Sequence, residues 1–388
     1  LGKGIPVASS TRATKIPKVC ASFGVTDVGR KRDHNEDNFI VVDELGLYAV
    51  ADGMGGHAAG EVASAKAVQV MRDFIGRCQE DNEFTWPYGM DLSLSEQENT
   101  LATAIKLANR EVWRLAQEKP DQHGMGTTIV SVSVLGYDVA VAHVGDSRAY
   151  RVHNNQLFRL TEDHSWVNEQ LRRGIITPEE AKNHRWQNVI TRALGNKEQV
   201  EVEVNSIQAE PGDMILLCSD GLDAGRSVDE MSILQTLLKH QHNLSECGRL
   251  LIGMANEAGG SDNISVIVLR FFASEEEAAE ASRDAAEIDT NPVLGAQQPD
   301  ADDATMPAPP SAAMKVTLPP AALPKPPLPR AAGPTTQVLD FSKLDDELDL
   351  QEDHESERTA RLDSSDMLKR SQEEIDDIFE MDDDLDQT

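Results

Sequence analysis

The stretch "TTIVSVSVLGYDVAVAHVGDSRAYRVHNNQLFRLT", residues 127–161, decides the fold. Apolar residues alternate in "IVSVSV" and "VAVAHV", the two-residue period of strands with one buried face. "LGYD" and "HNNQ" interrupt that alternation with turn formers, Gly136, Asn154 and Asn155 among them. The stretch reads as an antiparallel strand meander. Upstream, "VCASFGV" (19–25) and "NFIVVDELGLYAVAD" (38–52) read as strands, the second a hairpin turned near "DELG". Downstream, "DMILLCSD" (213–220) reads as a buried strand and "NISVIVLRFF" (263–272) as the last one.

Between these runs the period changes to that of a helix. From Ala59 a long helix carries Val62, Ala63, Ala67, Val70, Met71 and Phe74 on one face. A second over 95–117 aligns Leu101, Ala104, Ile105, Ala108, Val112 and Leu115. A third over 245–257 turns Cys247, Leu250, Leu251 and Met254 inward. Antiparallel strands and amphipathic helices in separate runs place the chain in the α+β class, as a layered sandwich with helices on the outer faces of two packed sheets.

The chain has 388 residues and a formal net charge of −31, most of it beyond Phe271, where 30 acids face nine Lys and Arg. So acidic a chain is a poor ligand for nucleic-acid phosphate, and clustered acids suit cations. No run of 18 apolar residues predicts a membrane span. The start, "LGKGIPVASSTRATKIPK", has no apolar core of a secretory signal, and it opens on Leu1 rather than Met, so residues are expected to precede it. Cys20, Cys78, Cys218 and Cys247 are scattered and form no CxxC pair, which predicts inert thiols in a reducing compartment. A cytoplasmic monomer is the expectation.

Residues 1–18 read as a flexible lead and 19–272 as the folded domain. Within it, 161–200 is polar, holds two short helix candidates and is long for a connector, as expected of a flap serving a site. Residues 273–335 form an Ala/Pro-rich disordered linker, whose opening "SEEEAAEASRDAAE" extends a helix briefly. Residues 336–388 form an acidic tail with sparse hydrophobes (Leu344, Leu348, Met367, Leu368, Ile375, Ile378 and Phe379), suited to solubility or to a short helix on a partner.

Acids recur at strand boundaries. Asp52 ends "LYAVAD", Asp146 ends "VAVAHVGD", Asp220 ends "DMILLCSD", Asp262 opens the last strand, and Glu36 and Asp37 precede "NFIVV". Strands that share a sheet bring such ends together. Grouped carboxylates repel unless cations neutralise them. Oxygen donors without Cys or His favour Mg2+ or Mn2+. Two ions about 3.5–4 Å apart sharing a carboxylate suit in-line attack on a phosphoryl group. Gly53 then reads as a glycine that clears the way for its carbonyl to reach an ion. The competing phosphate-cradle readings lack their residues: no GxxxxGK[ST] is present, and "GMGGHAAG" is not GxGxxG.

"RDHNED", "ADGMGGHAAGEVAS", "MGTT", "VGDSRAY", "CSDGL" and "GGSDNISVIV", in that order over about 21–270, resemble the metal-dependent type 2C serine/threonine protein phosphatases in their bacterial form. The resemblance implies a four-layer αββα sandwich with a metal centre at one edge. It implies hydrolysis of phosphoserine and phosphothreonine in proteins by direct attack of a water bridging two Mn2+ or Mg2+ ions, reversing a Ser/Thr kinase. By position, Asp52 would bridge the ions and the Gly53 carbonyl would bind one. Asp220 and Asp262 would complete one ion's shell, and Glu36 and Asp37 would hold the other. Arg32 would grip the substrate phosphate. Asp37, Asp52, Asp220 and Asp262 make up the catalytic set.

Two positions depart from the pattern. A third ion in some bacterial members uses the "GDSR" and "SDG" aspartates and an acid four residues after the latter. Asp146 and Asp220 match, but the last position is Ala224, which leaves Asp223, one residue early, as the substitute. The histidine that animal relatives carry after "DG" is Met54 here. His57 reads as structural, His34 as a loop residue with polar neighbours, and His164 in "EDHS" as a brace for the flap. The reading from another class is a pseudophosphatase or a tail-based regulatory binding module. The intact set Asp52, Asp220 and Asp262 favours the enzyme.

Overall fold

A computed structural model describes residues 18–55, 59–80, 86–118, 122–181, 184–223 and 228–287. The expected lead, acidic tail and most of the linker lie outside these residues, as do His57 and Ala224. In chain order the elements are β1 (Cys20–Asp27), β2 (Asn38–Val42), β3 (Leu47–Ala51), β4 (Gly53–Met54), α1 (Ala59–Glu80), α2 (Glu96–Glu118), β5 (Gly126–Thr127), β6 (Ile129–Leu135), β7 (Asp138–Val144) and β8 (Arg148–His153). There follow β9 (Gln156–Arg159), α3 (Trp166–Arg172), α4 (Pro178–Ala181), β10 (Glu203–Gln208), β11 (Met214–Cys218), α5 (Asp220–Asp223), α6 (Glu230–Lys239), α7 (Leu244–Glu257), β12 (Ile264–Phe271) and α8 (Glu275–Glu287).

Two five-stranded antiparallel sheets stack, one in the order β1-β12-β11-β8-β9 and the other β10-β7-β6-β3-β2. The period of two explains the layers. In β11, Ile215 and Leu217 point between the sheets, while Met214, Leu216 and Cys218 point to the helices outside. In β3, Tyr48 and Val50 point inward between the sheets, and Leu47, Ala49 and Ala51 pack under α1 and α2. The α6–α7 pair covers the first sheet in the same way. This is the αββα sandwich the sequence predicts.

Local chemistry starts the helices where the sequence places them. Ser95 and Glu98 form a reciprocal cap on α2: the Glu98 amide donates to Ser95 Oγ at 3.2 Å and the Ser95 amide to Glu98 Oε2 at 2.7 Å. Asn243 caps α7 by accepting from the Glu246 amide at 3.0 Å. Asn154 and Asn155 both take positive φ in the tight β8–β9 turn, which asparagine tolerates.

Three details differ from the sequence reading. The expected meander is two hairpins in different sheets: β6–β7 belong to one and β8–β9 to the other. The chain changes sheets at 145–147, where Gly145 has φ +110°. Leu250 is 38% exposed, because α7 turns Cys247, Gly248, Leu251 and Ile252 inward instead. The folded unit also continues past Phe272, with Ala278 of α8 fully buried. The elements α6 and β10 are additions to the sequence reading.

Strand register brings the acid-bearing segments to one end of the sandwich. Asn38 pairs with Ala51, and Ile129 with Val144, in one sheet. Asp27 pairs with Ile264, and Cys218 with both Val266 and Arg148, in the other. The segments 36–37, 52–53, 145–147, 219–220 and 262–263 all leave from these pairs.

Candidate metal centre

Asp37 is deeply buried. It is 5% exposed, and Oδ2 accepts from Ser219 Oγ at 2.8 Å and Ser265 Oγ at 2.7 Å. Oδ1 is buried and has no hydrogen-bond partner. Burial pushes this carboxyl up to about 7 against the pull of the two serines, with Asp220 and Asp262 adding to the rise. Asp220, the first residue of α5, also has a buried Oδ1 without a partner. It is pushed up to about 6 by burial and by Asp262, with Asp52 and Arg148 easing the rise. Asp52 and Asp146 are raised too, first by burial and then by their acidic neighbours, Asp220 among them for both.

The main chain around Asp52 is held by a threonine pair to which the sequence reading gives no role. Thr128 donates its amide to Asp52 O at 2.8 Å and accepts the Asp52 amide on Oγ1 at 3.1 Å. Thr127 Oγ1 donates to the same carbonyl at 2.8 Å. Asn263 does comparable work for the 28–36 loop. Its Nδ2 donates to Val28 O and His34 O, both at 2.9 Å, and its Oδ1 accepts from the Glu36 amide at 2.9 Å. Arg32 thereby reaches Asp262, donating Nη2–H to Oδ2 at 2.8 Å from a half-exposed position. Glu36 is raised by burial, eased by Arg32, and accepts from the Gly60 amide.

Every donor in this group is oxygen, the acids repel one another, and two buried carboxylate oxygens lack partners. That chemistry fits hard divalent cations. The three donors that lie within 4.8 Å of one another among the described residues are elsewhere, at His143, His164 and Glu203.

A family model described as Protein phosphatase 2C matches residues 29–263, more than half of the chain. The chain belongs to the protein phosphatase 2C family. Its relatives include the serine/threonine phosphatase stp of Listeria monocytogenes, 41% identical over 248 residues, covering 63% of this chain and 93% of the relative. Protein phosphatase PhpP of Streptococcus pneumoniae is 33% identical over 248 residues, covering 63% and 95%. Among solved structures, the Mycobacterium tuberculosis phosphatase PstP/Ppp superposes with a TM-score of 0.57 at 33% identity, over 66% of this chain and 99% of that one. The PstP catalytic domain in complex with two manganese ions gives 0.55 at 33% identity, over the same shares.

Within this 2C-type centre, Asp146 and Asp223 differ in their company. Asp146 is 9% exposed, with Arg148 the cation that eases its burial. Asp223 accepts from Arg148 Nη1 at 2.8 Å and, through a short bond, from the Tyr150 hydroxyl. Arg148 also grips Asp163 with Nε and Nη2, at 3.1 and 2.7 Å. One oxygen of Asp223 is thus committed, and Oδ1 is buried without a partner. Glycines join the segments of the centre by close backbone contact. A Cβ on Gly221 would stand 2.0 Å from Asn263 O, and one on Gly29 2.2 Å from Asp262 O.

Proposed function

We propose that this centre hydrolyses phosphoserine and phosphothreonine in proteins with two divalent cations, Mn2+ or Mg2+, held by Glu36, Asp37, Asp52, the Gly53 carbonyl, Asp220 and Asp262. The observation that carries the reading is the pair of unpartnered buried oxygens, Asp37 Oδ1 and Asp220 Oδ1, inside an all-oxygen group on a 2C-type fold. When bound, such ions acidify water for in-line attack on phosphorus and offset charge on the phosphoryl oxygens. The chain supplies position. Ser219 and Ser265 fix one oxygen of Asp37 and leave the other for a ligand. Thr127 and Thr128 hold the Asp52 backbone, so its carboxylate and the next carbonyl are presented together. Arg32, half-exposed beside Asp262, offers a planar fork that matches two phosphate oxygens.

The Arg148 guanidinium already neutralises Asp223, where Asp37 has only neutral serine partners, and this supports two ions rather than three. The phosphatase domain runs from about 19 to 287, since α8 packs on β1. Similarity to bacterial serine/threonine phosphatases supports a role opposing a Ser/Thr kinase, and the excess of acids beyond Phe271 supports docking of a basic partner segment. No helix among the described residues is long and apolar enough to cross a membrane.

The test is phosphate release from a phosphothreonine peptide with Mn2+ titrated, EDTA as control, and Asp220→Ala beside the wild type. Metal-dependent release that Asp220→Ala abolishes is the expected result. A folded wild type that releases no phosphate at any Mn2+ or Mg2+ level would overturn the enzyme reading and leave a binding module.

A further inference from the structure

The flap leaves the sandwich after β9 and returns to it at β10. One residue ties it to the Asp146 loop. His164 is 6% exposed. Its amide donates to Gly145 O at 2.9 Å, and its ring Nδ1 accepts the Gly145 amide at 3.1 Å. Both backbone groups of the residue before Asp146 therefore end on His164. Its carbonyl accepts from the Thr191 amide at 2.9 Å, which joins the outgoing limb of the flap to the returning one. Its Nε2–H donates to Glu203 Oε2, on β10, at 3.2 Å. The ring stacks on His143 at 4.6 Å, and His143 in turn donates Nε2–H to Glu162 O at 2.7 Å. Beside the joint lies a polar cleft of about 450 Å³ lined by Glu162, Arg172, Arg192, Glu201 and Glu203 among others.

Two histidines and a glutamate are a familiar transition-metal set, but the backbone fixes the wrong tautomer for one here. The Gly145 amide occupies the lone pair of His164 Nδ1, so the ring proton stays on Nε2 and that nitrogen has no lone pair to offer. Arg192 Nη1, 3.5 Å from the same nitrogen, also opposes a cation there. Burial lowers both rings, His164 to about 4, which keeps them neutral hydrogen-bonding groups at neutral pH.

We propose that His164 is a positioning residue with two separable tasks: Nδ1 holds the Gly145–Asp146 loop for the metal centre, and Nε2 holds the flap against β10 for a polypeptide substrate. The proposal rests on the phosphatase reading above. Two near-isosteres divide the tasks. In His164→Asn the side-chain oxygen takes the place of Nδ1 and the contact to Glu203 is lost. In His164→Gln the side-chain amide takes the place of Nε2 and the Gly145 amide is left without its acceptor.

The experiment measures kcat and KM on a phosphothreonine peptide and on p-nitrophenyl phosphate, together with amide hydrogen exchange at Gly145 in the EDTA-treated protein. For His164→Asn, Gly145 stays protected, and the ratio of peptide to small-substrate kcat/KM falls on the order of ten-fold, mostly through KM. For His164→Gln, Gly145 exchanges on the order of ten-fold faster, as expected when a buried amide loses its partner, and kcat falls on both substrates. A His164→Asn protein that changes both substrates in the same proportion, or a Gly145 amide equally protected in both variants, would overturn the proposal. A wild type inactive on both substrates would instead count against the phosphatase reading, and the exchange result would still decide the loop half of the proposal.

Discussion

Replacing Gly53 by alanine tests how the proposed metal centre is built. Absence of a side chain at this position looks, in sequence, like clearance for an ion. The structure points the missing Cβ elsewhere. It would stand 2.2 Å from Gly60 O, 2.5 Å from Glu36 O and 2.5 Å from the Gly60 carbonyl carbon. Gly60 is as tight in return, its own Cβ meeting Glu36 Oε1 and the Gly53 carbonyl carbon at 2.8 Å. The obstacles to a Gly53 Cβ are backbone atoms, so no rotamer relieves them, and β4 must move about 1 Å from the start of α1. Overpacking of this kind costs about 1–3 kcal/mol, which in a domain of this size lowers Tm by roughly 2–10 °C. The moved backbone follows directly on Asp52, and a 1 Å misplacement at a reacting centre costs on the order of 100-fold in kcat/KM. The matched control is Gly76→Ala, also next to α1 core positions, whose Cβ would meet Leu45 Cδ1 at 3.9 Å and nothing closer. Inside a helix that change stabilises by at most roughly 0.5–1 kcal/mol. Thermal unfolding in EDTA and in saturating Mn2+, Mn2+ calorimetry and phosphate release make the assay. Gly53→Ala should lose Tm, Mn2+ affinity and activity together while Gly76→Ala loses none. A Gly53→Ala protein with wild-type Mn2+ affinity and turnover would refute the close-packing account.

Three further outcomes follow from the same geometry. Asp37 has a folded pKa raised to about 7 by burial, so its proton is held more tightly in the folded state. In EDTA its contribution is favourable below about pH 4 and is lost as pH rises through 7. Asp37→Asn should flatten that part of the Tm-against-pH curve and abolish Mn2+ binding; an unchanged curve would count against the shift. Asp223→Asn removes the anion that Arg148 and Tyr150 share in a buried setting, and should destabilise by about 3 kcal/mol. The Mn2+ count by elemental analysis should stay at the wild-type value, whereas loss of one ion would place Asp223 in a third site. Arg32→Lys keeps the charge but not the fork; KM for a phosphopeptide should rise about ten-fold, and an unchanged KM would remove Arg32 from the phosphate site.

Layering was legible because it is written in periods. Alternation in β3 and β11 assigns each side chain to the inter-sheet core or to the helix side, and both strands follow it. Sheet membership was not legible, because a period of two reports a buried face without saying whose sheet it joins. The change of sheet at Gly145 is a backbone event, signalled in sequence by one glycine. Leu250 and Gly248 show the same limit on a helix. A hydrophobic reading turns leucine inward, yet α7 sits so close to β1 that a Cβ on Gly248 would stand 3.0 Å from the Phe23 ring, and the inward arc shifts to make room.

In the candidate centre, the acids were legible by repetition at strand ends, while the groups that hold them were not. Thr127, Thr128, Ser219, Ser265 and Asn263 are small polar residues common in any loop, and only the fold shows their partners. Their distribution carries a physical point. Asp37, Asp52, Asp146 and Asp220 are raised by burial and by neighbouring acids, so nothing in their own electrostatics would keep them together before an ion arrives. The restraint has to come from neutral bonds to the backbone and from glycine contacts that fix the strand ends: Thr127 and Thr128 on Asp52, Asn263 on the 28–36 loop, Gly29 against Asp262, Gly221 against Asn263. A centre assembled this way keeps its carboxylates grouped at the cost of raised pKa values. It follows that Mn2+ binding should release protons below about pH 7 and weaken as pH falls, because Asp37 and Asp220 must give up protons to act as ligands. Calorimetry in two buffers of different ionisation enthalpy reads that proton release directly. Equal heats in both buffers at pH 6 would mean that the acids are already ionised, and that the grouping is less strained than the burial of Asp37 implies.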